Sequence, residues 1–204
     1  MEFYLAILLF TAPASITPGP NNIMIMASGV NFGIQKSFPH LFGICLGFPV
    51  MVIAIGLGFS AVFHAYPLLH EAIKIIGIIY LLYLAWQIAT AQSADINANF
   101  TKPLTFKQAV LFQWVNPKAW VMATGAISAY TSTDVAMLGQ ILFIAFAFSI
   151  TAGISVGIWL VFGAGLKRYL DDPLHYRVFN IVMATLLVGS MSPVIRDLVE
   201  YYLV

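Results

Sequence analysis

A single lysine lies deep in an apolar part of the chain, beside a residue pair that interrupts a helix. Lys118 is the only charged residue between Lys107 and Asp134, and it directly follows Asn116 and Pro117. About 20 apolar residues cross the hydrocarbon core of a membrane, and an ammonium group placed there costs about 2.5–3.5 kcal/mol on insertion scales. Because the proline removes a helix hydrogen bond beside the charge, the pattern is typical of a polar path through a membrane. The alternative is a lysine whose side chain extends to the membrane surface.

A second interruption lies near the N-terminus, at residues 17–22, Thr-Pro-Gly-Pro-Asn-Asn. Two prolines with a glycine between them cannot continue regular helix hydrogen bonding. The helix that restarts near Asn21 presents unpaired N–H groups and the positive end of its dipole. The side chains of Thr17, Asn21 and Asn22 both donate and accept without a fixed charge, so they can contact both ends of an amino acid. The alternative is a structural kink that neighbouring Ser and Thr side chains satisfy.

The composition is that of an integral membrane protein. Hydrophobic residues make up 61% of the 204 residues, charged residues make up 8%, and the mean hydropathy is +0.92. A soluble chain carries about 25% charged residues. A net charge of +1 and the lack of a basic run argue against a nucleic-acid partner, and the single cysteine, Cys45, excludes an intrachain disulfide. No Lys or Arg precedes the first apolar run, which predicts an uncleaved first span rather than a signal peptide.

Charges and turn residues divide the chain into six predicted transmembrane helices, which form one domain over residues 1–204. The predicted spans cover residues 3–28, 39–63, 72–91, 106–130, 135–166 and 178–195. The connectors after the first, third and fifth spans hold Lys36, Lys102, Lys107, Lys167, Arg168 and Arg177, whereas the opposite side holds Lys74 and Arg196. The positive-inside rule therefore places those connectors in the cytoplasm and both termini outside it.

The two halves of the chain resemble each other. Residues 1–91 and 106–204 each open with a broken span and continue with a span that contains a Gly-x-x-x-Gly pair, Gly43/Gly47 and Gly153/Gly157. Such pairs allow helix backbones to approach closely. Three spans per half means that the halves enter the membrane from opposite sides. The predicted fold is therefore an all-α 3+3 inverted repeat with broken first and fourth helices, an arrangement that places a transporter's binding site at the breaks.

Other classes of function fit the sequence less well. No predicted span pairs a buried His, Asp or Glu with a Ser or Cys nucleophile, so we expect no enzymatic activity. Clusters of Asp, His or Cys that could bind a metal are missing, and we expect no metal or cofactor. A non-transporting membrane scaffold or assembly factor is the alternative that stays open, although it gives no reason for Lys118 to lie at membrane depth.

Three segments resemble the LysE/RhtB family of amino-acid exporters. They are residues 15–22 with the later Gly33, Ser37, Gly43, Gly47 and Phe48; residues 80–86, Tyr-Leu-x-Tyr-Leu-Ala-Trp; and Phe112-Gln113-x-x-Asn116-Pro117-Lys118. The resemblance implies six spans and proton-driven export of amino acids across the bacterial cytoplasmic (inner) membrane. Residues 18–23 and 84–89 most resemble the cysteine and O-acetylserine branch, although a homoserine- or threonine-type substrate stays open. Family members often carry an acidic residue where Asn21 stands.

The candidate residues for substrate binding and translocation combine both breaks. They are Thr17, Pro18, Gly19, Pro20, Asn21, Asn22, Gln113, Asn116, Pro117 and Lys118. No Asp or Glu lies deep in a predicted span, and the four histidines fall near span ends, so Lys118 is the one deep group that could carry a proton. The expected partners are an amino acid, protons as the coupling ion and the lipid bilayer, and a homodimer is left open.

Overall fold

The computed structural model describes residues 2–59, 65, 67–90, 102–131, 137–170 and 172–189, and the regular secondary structure in these residues is helical, without any β-strand. The helices are α1 (Glu2–Ile16), α2 (Pro20–Ala54), α3 (Pro67–Thr90), α4 (Phe106–Val115), α5 (Pro117–Tyr130), α6 (Met137–Leu166) and α7 (Pro173–Gly189). A π-helical turn, Ile55–Phe59, continues α2, and a 3₁₀ turn, Lys167–Tyr169, continues α6. The all-α prediction is confirmed for this part of the chain.

The chain is interrupted at both predicted positions. Gly19 adopts an extended conformation (φ −172°, ψ 178°) between α1 and α2, and Pro20 begins the new helix at the position where a missing N–H costs nothing. Asn116 separates α4 from α5 with φ −84° and ψ 108°, and its side chain accepts a hydrogen bond from Lys118 N at 3.2 Å. Pro117 occupies the same first helical position in α5. Each break therefore combines a cap with a proline that starts the next helix.

α2 doubles back on itself at Gly33. This glycine has φ 77° and ψ 175°, a backbone conformation that residues other than glycine rarely adopt. Ser28 Oγ lies 3.0 Å from His40 Nδ1 although the two residues are twelve apart in sequence. In a straight helix the two residues would be separated by about 18 Å. α2 therefore consists of two helical arms, residues 20–32 and 34–54. The predicted spans ended at residue 28 and began again at residue 39, so residues 29–32 and 34–38 are helical where a connector was predicted.

Within the part of the chain that the structure describes, two helical segments, Pro20–Gly58 and Met137–Tyr169, are long and apolar enough to cross a membrane, and Tyr4–Ile16 and Ile78–Thr90 are shorter apolar helices. Because Pro20–Gly58 contains the bend at Gly33, it does not form one straight rod. Large apolar side chains are exposed along the outside of the molecule, including Leu46, Val50 and Ile154. Such a surface suits contact with lipid. The count of six spans and the 3+3 arrangement stay predictions.

The backbones of α2 and α6 approach each other closely at two glycines. A Cβ atom added at Gly29 would lie 2.5 Å from Leu160 O, and one added at Gly163 would overlap Met26 O. Neither position has room for any side chain, so the first arm of α2 packs directly on α6. α3 packs mainly against α7, around buried Leu81 and Leu187.

The two Gly-x-x-x-Gly pairs differ in their surroundings. An added Cβ would lie 2.5 Å from Ala109 Cβ at Gly43 and 2.8 Å from Val110 Cα at Gly47, so the second arm of α2 packs closely on α4. At Gly153 the nearest described atom would be Cys45 Sγ at 3.8 Å, and at Gly157 no described atom lies within 4 Å. The expected close approach at the second pair is therefore absent from the described helices, and Gly163 makes the tight contact of α6 instead.

Candidate functional site

The two breaks meet through Lys118. Its Nζ donates hydrogen bonds to Thr17 O at 2.7 Å and to Thr17 Oγ1 at 2.8 Å, and Pro18 O lies 3.5 Å away. Lys118 and Thr17 are 101 residues apart in sequence. Thr17 and Pro18 follow the end of α1, where carbonyl groups lack helical partners and the helix dipole favours a cation. The lysine is therefore stabilised by the carbonyl groups that the first break frees.

The remaining carbonyl groups at the end of α1 also have polar partners. Asn22 Nδ2 donates to Ser15 O at 2.8 Å and to Thr17 O at 3.0 Å. Ser155 Oγ of α6 donates to Ser15 O at 2.9 Å, and Trp159 Nε1 donates to Ile16 O at 3.3 Å. These bonds hold the broken backbone in a single conformation, because a buried carbonyl group without a partner would be costly.

Asn21 and Gln113 form a reciprocal amide pair. Asn21 Nδ2 donates to Gln113 Oε1 at 2.8 Å, and Gln113 Nε2 donates to Asn21 Oδ1 at 3.1 Å. Gln113 Nε2 also donates to Ala109 O at 2.9 Å, and the Gln113 side chain is completely buried. The pair joins the first arm of α2 to α4, so it links the two halves of the chain beside the breaks.

Half of the predicted site residues line one small pocket of about 30 Å³: Gly19, Asn21, Asn22, Asn116 and Lys118. The other five adjoin it, because Thr17 and Pro18 contact Lys118, Gln113 contacts Asn21, and Pro20 and Pro117 begin the two helices. The structure thus brings all ten residues together. The volume is about that of one water molecule, so an amino acid can enter only when the surrounding helices move.

A larger cavity, which the sequence did not reveal, lies nearer the bend at Gly33. Its volume is about 350 Å³, and its wall includes Ser28, His40, Tyr83 and Lys102. His40 is 1% exposed, and its Nε2 has no hydrogen-bond partner among the described residues. Sequence reasoning placed this histidine near a span end. The bend buries it, because the second arm returns immediately along the first.

Comparisons with known proteins identify the family of the chain. Residues 13–191 match the family described as LysE type translocator. The cysteine/O-acetylserine efflux proteins of Salmonella choleraesuis (strain SC-B67) and Salmonella typhimurium are each 31% identical over 181 residues, which cover 88% of this chain and 90% of each relative. The protein of the same description from Escherichia coli O1:K1 / APEC is 30% identical over the same shares of both chains. No solved structure matches the chain. The chain therefore belongs to the LysE-type translocators, a family of transmembrane amino-acid exporters.

Proposed function

We propose that this protein is a secondary exporter of small neutral amino acids, with cysteine and O-acetylserine as the first candidate substrates. Two kinds of observation support the proposal: the description that its relatives carry, and the junction of two broken helices around a lysine. Broken helices that meet within the fold are how several transporter families build their binding sites. A homoserine- or threonine-type substrate is the second candidate.

The observation that carries the proposal is the uneven set of hydrogen bonds at Lys118 Nζ. An ammonium group has three N–H donors. Two of them have short bonds to Thr17, whereas the third acceptor, Pro18 O, lies 3.5 Å away. This long bond is the weakest of the three, so a substrate carboxylate would replace Pro18 O there, and the fixed charge would favour the exchange. Asn21 and Asn22 supply amide groups beside it in the same pocket.

The pairing of helices supports the inverted-repeat proposal for residues 1–91 and 106–204. The second arm of α2 packs against α6, where the rings of Phe48 and Phe148 lie 4.9 Å apart. α3 packs against α7, and the two broken helices meet at Lys118. Each helix of the first half thus contacts its counterpart in the second half, which is the arrangement that a pseudo-two-fold axis through the membrane plane would produce.

Proton coupling belongs to the same proposal. No Asp or Glu is present in the described segments 4–58, 72–90, 102–131, 137–170 and 173–189, so Lys118 is the candidate proton carrier beside the pocket. A substrate carboxylate favours the charged ammonium, whereas an empty low-dielectric pocket favours its loss of a proton. Because the occupied and the empty pocket favour opposite protonation states of Lys118, each transport cycle would exchange a proton for a substrate.

The direct test is efflux from proteoliposomes loaded with cysteine, O-acetylserine, homoserine, threonine or lysine, with an imposed proton gradient. We expect O-acetylserine and cysteine to leave fastest, and we expect collapse of the gradient to slow net efflux. Protein-free liposomes of the same lipid composition, loaded in the same way, are the control for passive leak. If folded protein released none of the five amino acids faster than this control, the alternative of a non-transporting scaffold would be favoured.

We also propose that both termini lie outside the cytoplasm. Tyr176, near the start of α7, donates a hydrogen bond to Asn31, and residues 102–105 share the large cavity with Asn31. The connectors that carry most of the lysines and arginines therefore lie near one end of the molecule, as the positive-inside rule requires. A reporter fused after Val204 should read as extracytoplasmic, whereas a reporter inserted within residues 92–105 should read as cytoplasmic. The same side for both reporters would contradict the six-span topology.

A further inference from the structure

The larger cavity has the size and the polar wall of a binding site. At about 350 Å³ it falls within the range of about 300–1,000 Å³ that is typical of small-molecule sites. The Lys118 pocket is more than ten times smaller, at about 30 Å³. In the conformation described, an amino acid therefore fits in the larger cavity and not beside Lys118. Tyr83 and Gln87 of α3 and Gln108 of α4 line this cavity and offer it neutral polar groups.

The charge of the wall favours a carboxylate. Lys102 lines the cavity and has no ion-pair partner among the described residues, and no described lining residue is an Asp or Glu. Ser28 Oγ has no described hydrogen-bond partner other than His40 Nδ1, so we assign the hydroxyl as the donor and Nε2 as the N–H-bearing nitrogen of a neutral ring. Because this N–H has no described acceptor, it adds positive potential to the wall.

The Asn21–Gln113 pair lies between the cavity and the Lys118 pocket. Asn21 lines the small pocket, whereas Met24, one helical turn further along α2, lines the large cavity. On α4, Gln108 lines the cavity, and Gln113 lies more than one turn beyond it. The reciprocal amide bonds at 2.8 and 3.1 Å therefore separate the two spaces.

We propose that the large cavity is a second amino-acid site, on the predicted cytoplasmic side, that binds a small zwitterion with its carboxylate toward Lys102 and His40. The substrate occupies this site while the Asn21–Gln113 pair is closed and passes to Lys118 only after the pair separates. The inference rests on the proposed export function, but it concerns different residues. It can therefore fail while export itself is upheld.

Protection of a cysteine in the wall tests the site. In a Cys45→Ala background the chain has no other cysteine, so Gln87→Cys gives a single thiol in the wall. We expect saturating O-acetylserine to slow the reaction of this wall thiol with a maleimide at least about fivefold. Gln35→Cys is the matched control, because Gln35 is exposed near the same bend and does not line the cavity. The labelling rate of the control thiol should not change.

A pair of lysine variants tests the role of charge. Lys102→Gln, combined with Gln87→Cys, should raise the O-acetylserine concentration for half-protection of the wall thiol about fivefold or more. Lys107→Gln removes a lysine that is exposed and lies outside the cavity, so it should leave that concentration within about twofold. Equal effects of the two lysine variants would overturn the assignment of the carboxylate to Lys102.

Efflux measured on the same preparations separates this inference from the proposed function. Lys118→Met should lose efflux but keep the protection of the wall thiol, because the two spaces are distinct. Normal efflux without protection of the wall thiol would overturn the second site and leave the export function standing. Protection that disappears with Lys118→Met would also overturn it, since the protein would then have a single site. Protection without efflux in the unaltered chain would support the cavity and contradict the export proposal.

Discussion

Replacement of Lys118 by methionine is expected to reduce amino-acid efflux about a hundredfold or more at every pH, while the protein still inserts into the membrane. The variant loses two short hydrogen bonds from a charged donor to Thr17 as well as the charge that would bind a substrate carboxylate. Hydrogen bonds to charged groups contribute about 1.5–3 kcal/mol each, and about 1.4 kcal/mol corresponds to a factor of ten. Insertion should become easier, because the ammonium group costs about 2.5–3.5 kcal/mol at membrane depth.

Two further variants identify the role of the lysine. Lys118→Arg keeps the charge but does not release a proton in the accessible pH range. If Lys118 only anchors the substrate carboxylate, the arginine variant should keep part of its substrate binding. If Lys118 carries the proton, the arginine variant should lose gradient-driven efflux. We expect partial binding and a strong loss of gradient-driven efflux. Lys107→Met, in the exposed first turn of α4, is the matched control and should transport normally. Efflux near the unaltered rate in Lys118→Met would remove this residue from the site.

Gly19→Leu is expected to abolish efflux with the protein still present in the membrane. The cause is contact and not backbone strain, because the φ of −172° at Gly19 is available to any residue. A Cβ added there would lie 2.6 Å from Lys118 Cδ and 3.1 Å from Lys118 Nζ. Even alanine must displace the lysine side chain, so Gly19→Ala should lose most of the activity and leucine should lose all of it.

Gly157→Leu is the control for this substitution. It introduces the same side chain into α6 at a position where no described atom lies within 4 Å of an added Cβ. Efflux from this variant should stay within about twofold of the unaltered chain, as expected of a substitution into open space. If Gly19→Leu transported as well as Gly157→Leu, the first break would be a structural kink alone.

The sequence was sufficient to predict both breaks but not the contact between them. Pro20 and Pro117 each start a helix, and proline has the same local effect wherever it occurs, so local rules located both interruptions. Lys118 and Thr17 are 101 residues apart, so the hydrogen bond between them depends on how helices that are distant in sequence pack together. No local pattern carries that information. The sequence identified the polar groups, and the packing selected their partners.

Glycine spacing predicted close packing only in part. Gly43 and Gly47 lie against α4, whereas a Cβ added at Gly157 has no described atom within 4 Å. Gly163, outside the pattern, lies against the backbone of α2. A Gly-x-x-x-Gly pair shows that one helix face lacks side chains at two positions, but it does not show which neighbouring helix approaches that face. The approach of α6 to Gly29 is set by the whole surface of both helices.

His40 shows why the large cavity could not be predicted from the sequence. Its distance from the predicted span boundary placed it near a membrane surface, where a histidine needs no explanation. The positive φ of Gly33 reverses the chain within one residue, and His40 then lies against Ser28 in the interior. A glycine between two apolar segments indicates where the chain can turn, but the sharpness of the turn depends on packing that the sequence does not encode locally.

The backbone contacts at Gly29 and Gly163 divide the molecule into parts of unequal stiffness. α2 and α6 cannot slide or separate without losing contacts that involve main-chain atoms, so they form a rigid body. α3 packs mainly on α7, and it faces α2 and α4 across the 350 Å³ cavity. Rotation of the α3–α7 pair would change the width of that cavity while the rigid body kept its shape. The outer helix pair would then set the width of the large cavity, whereas opening of the small pocket would require α1, α4 or α5 to move against the frame that α2 and α6 form.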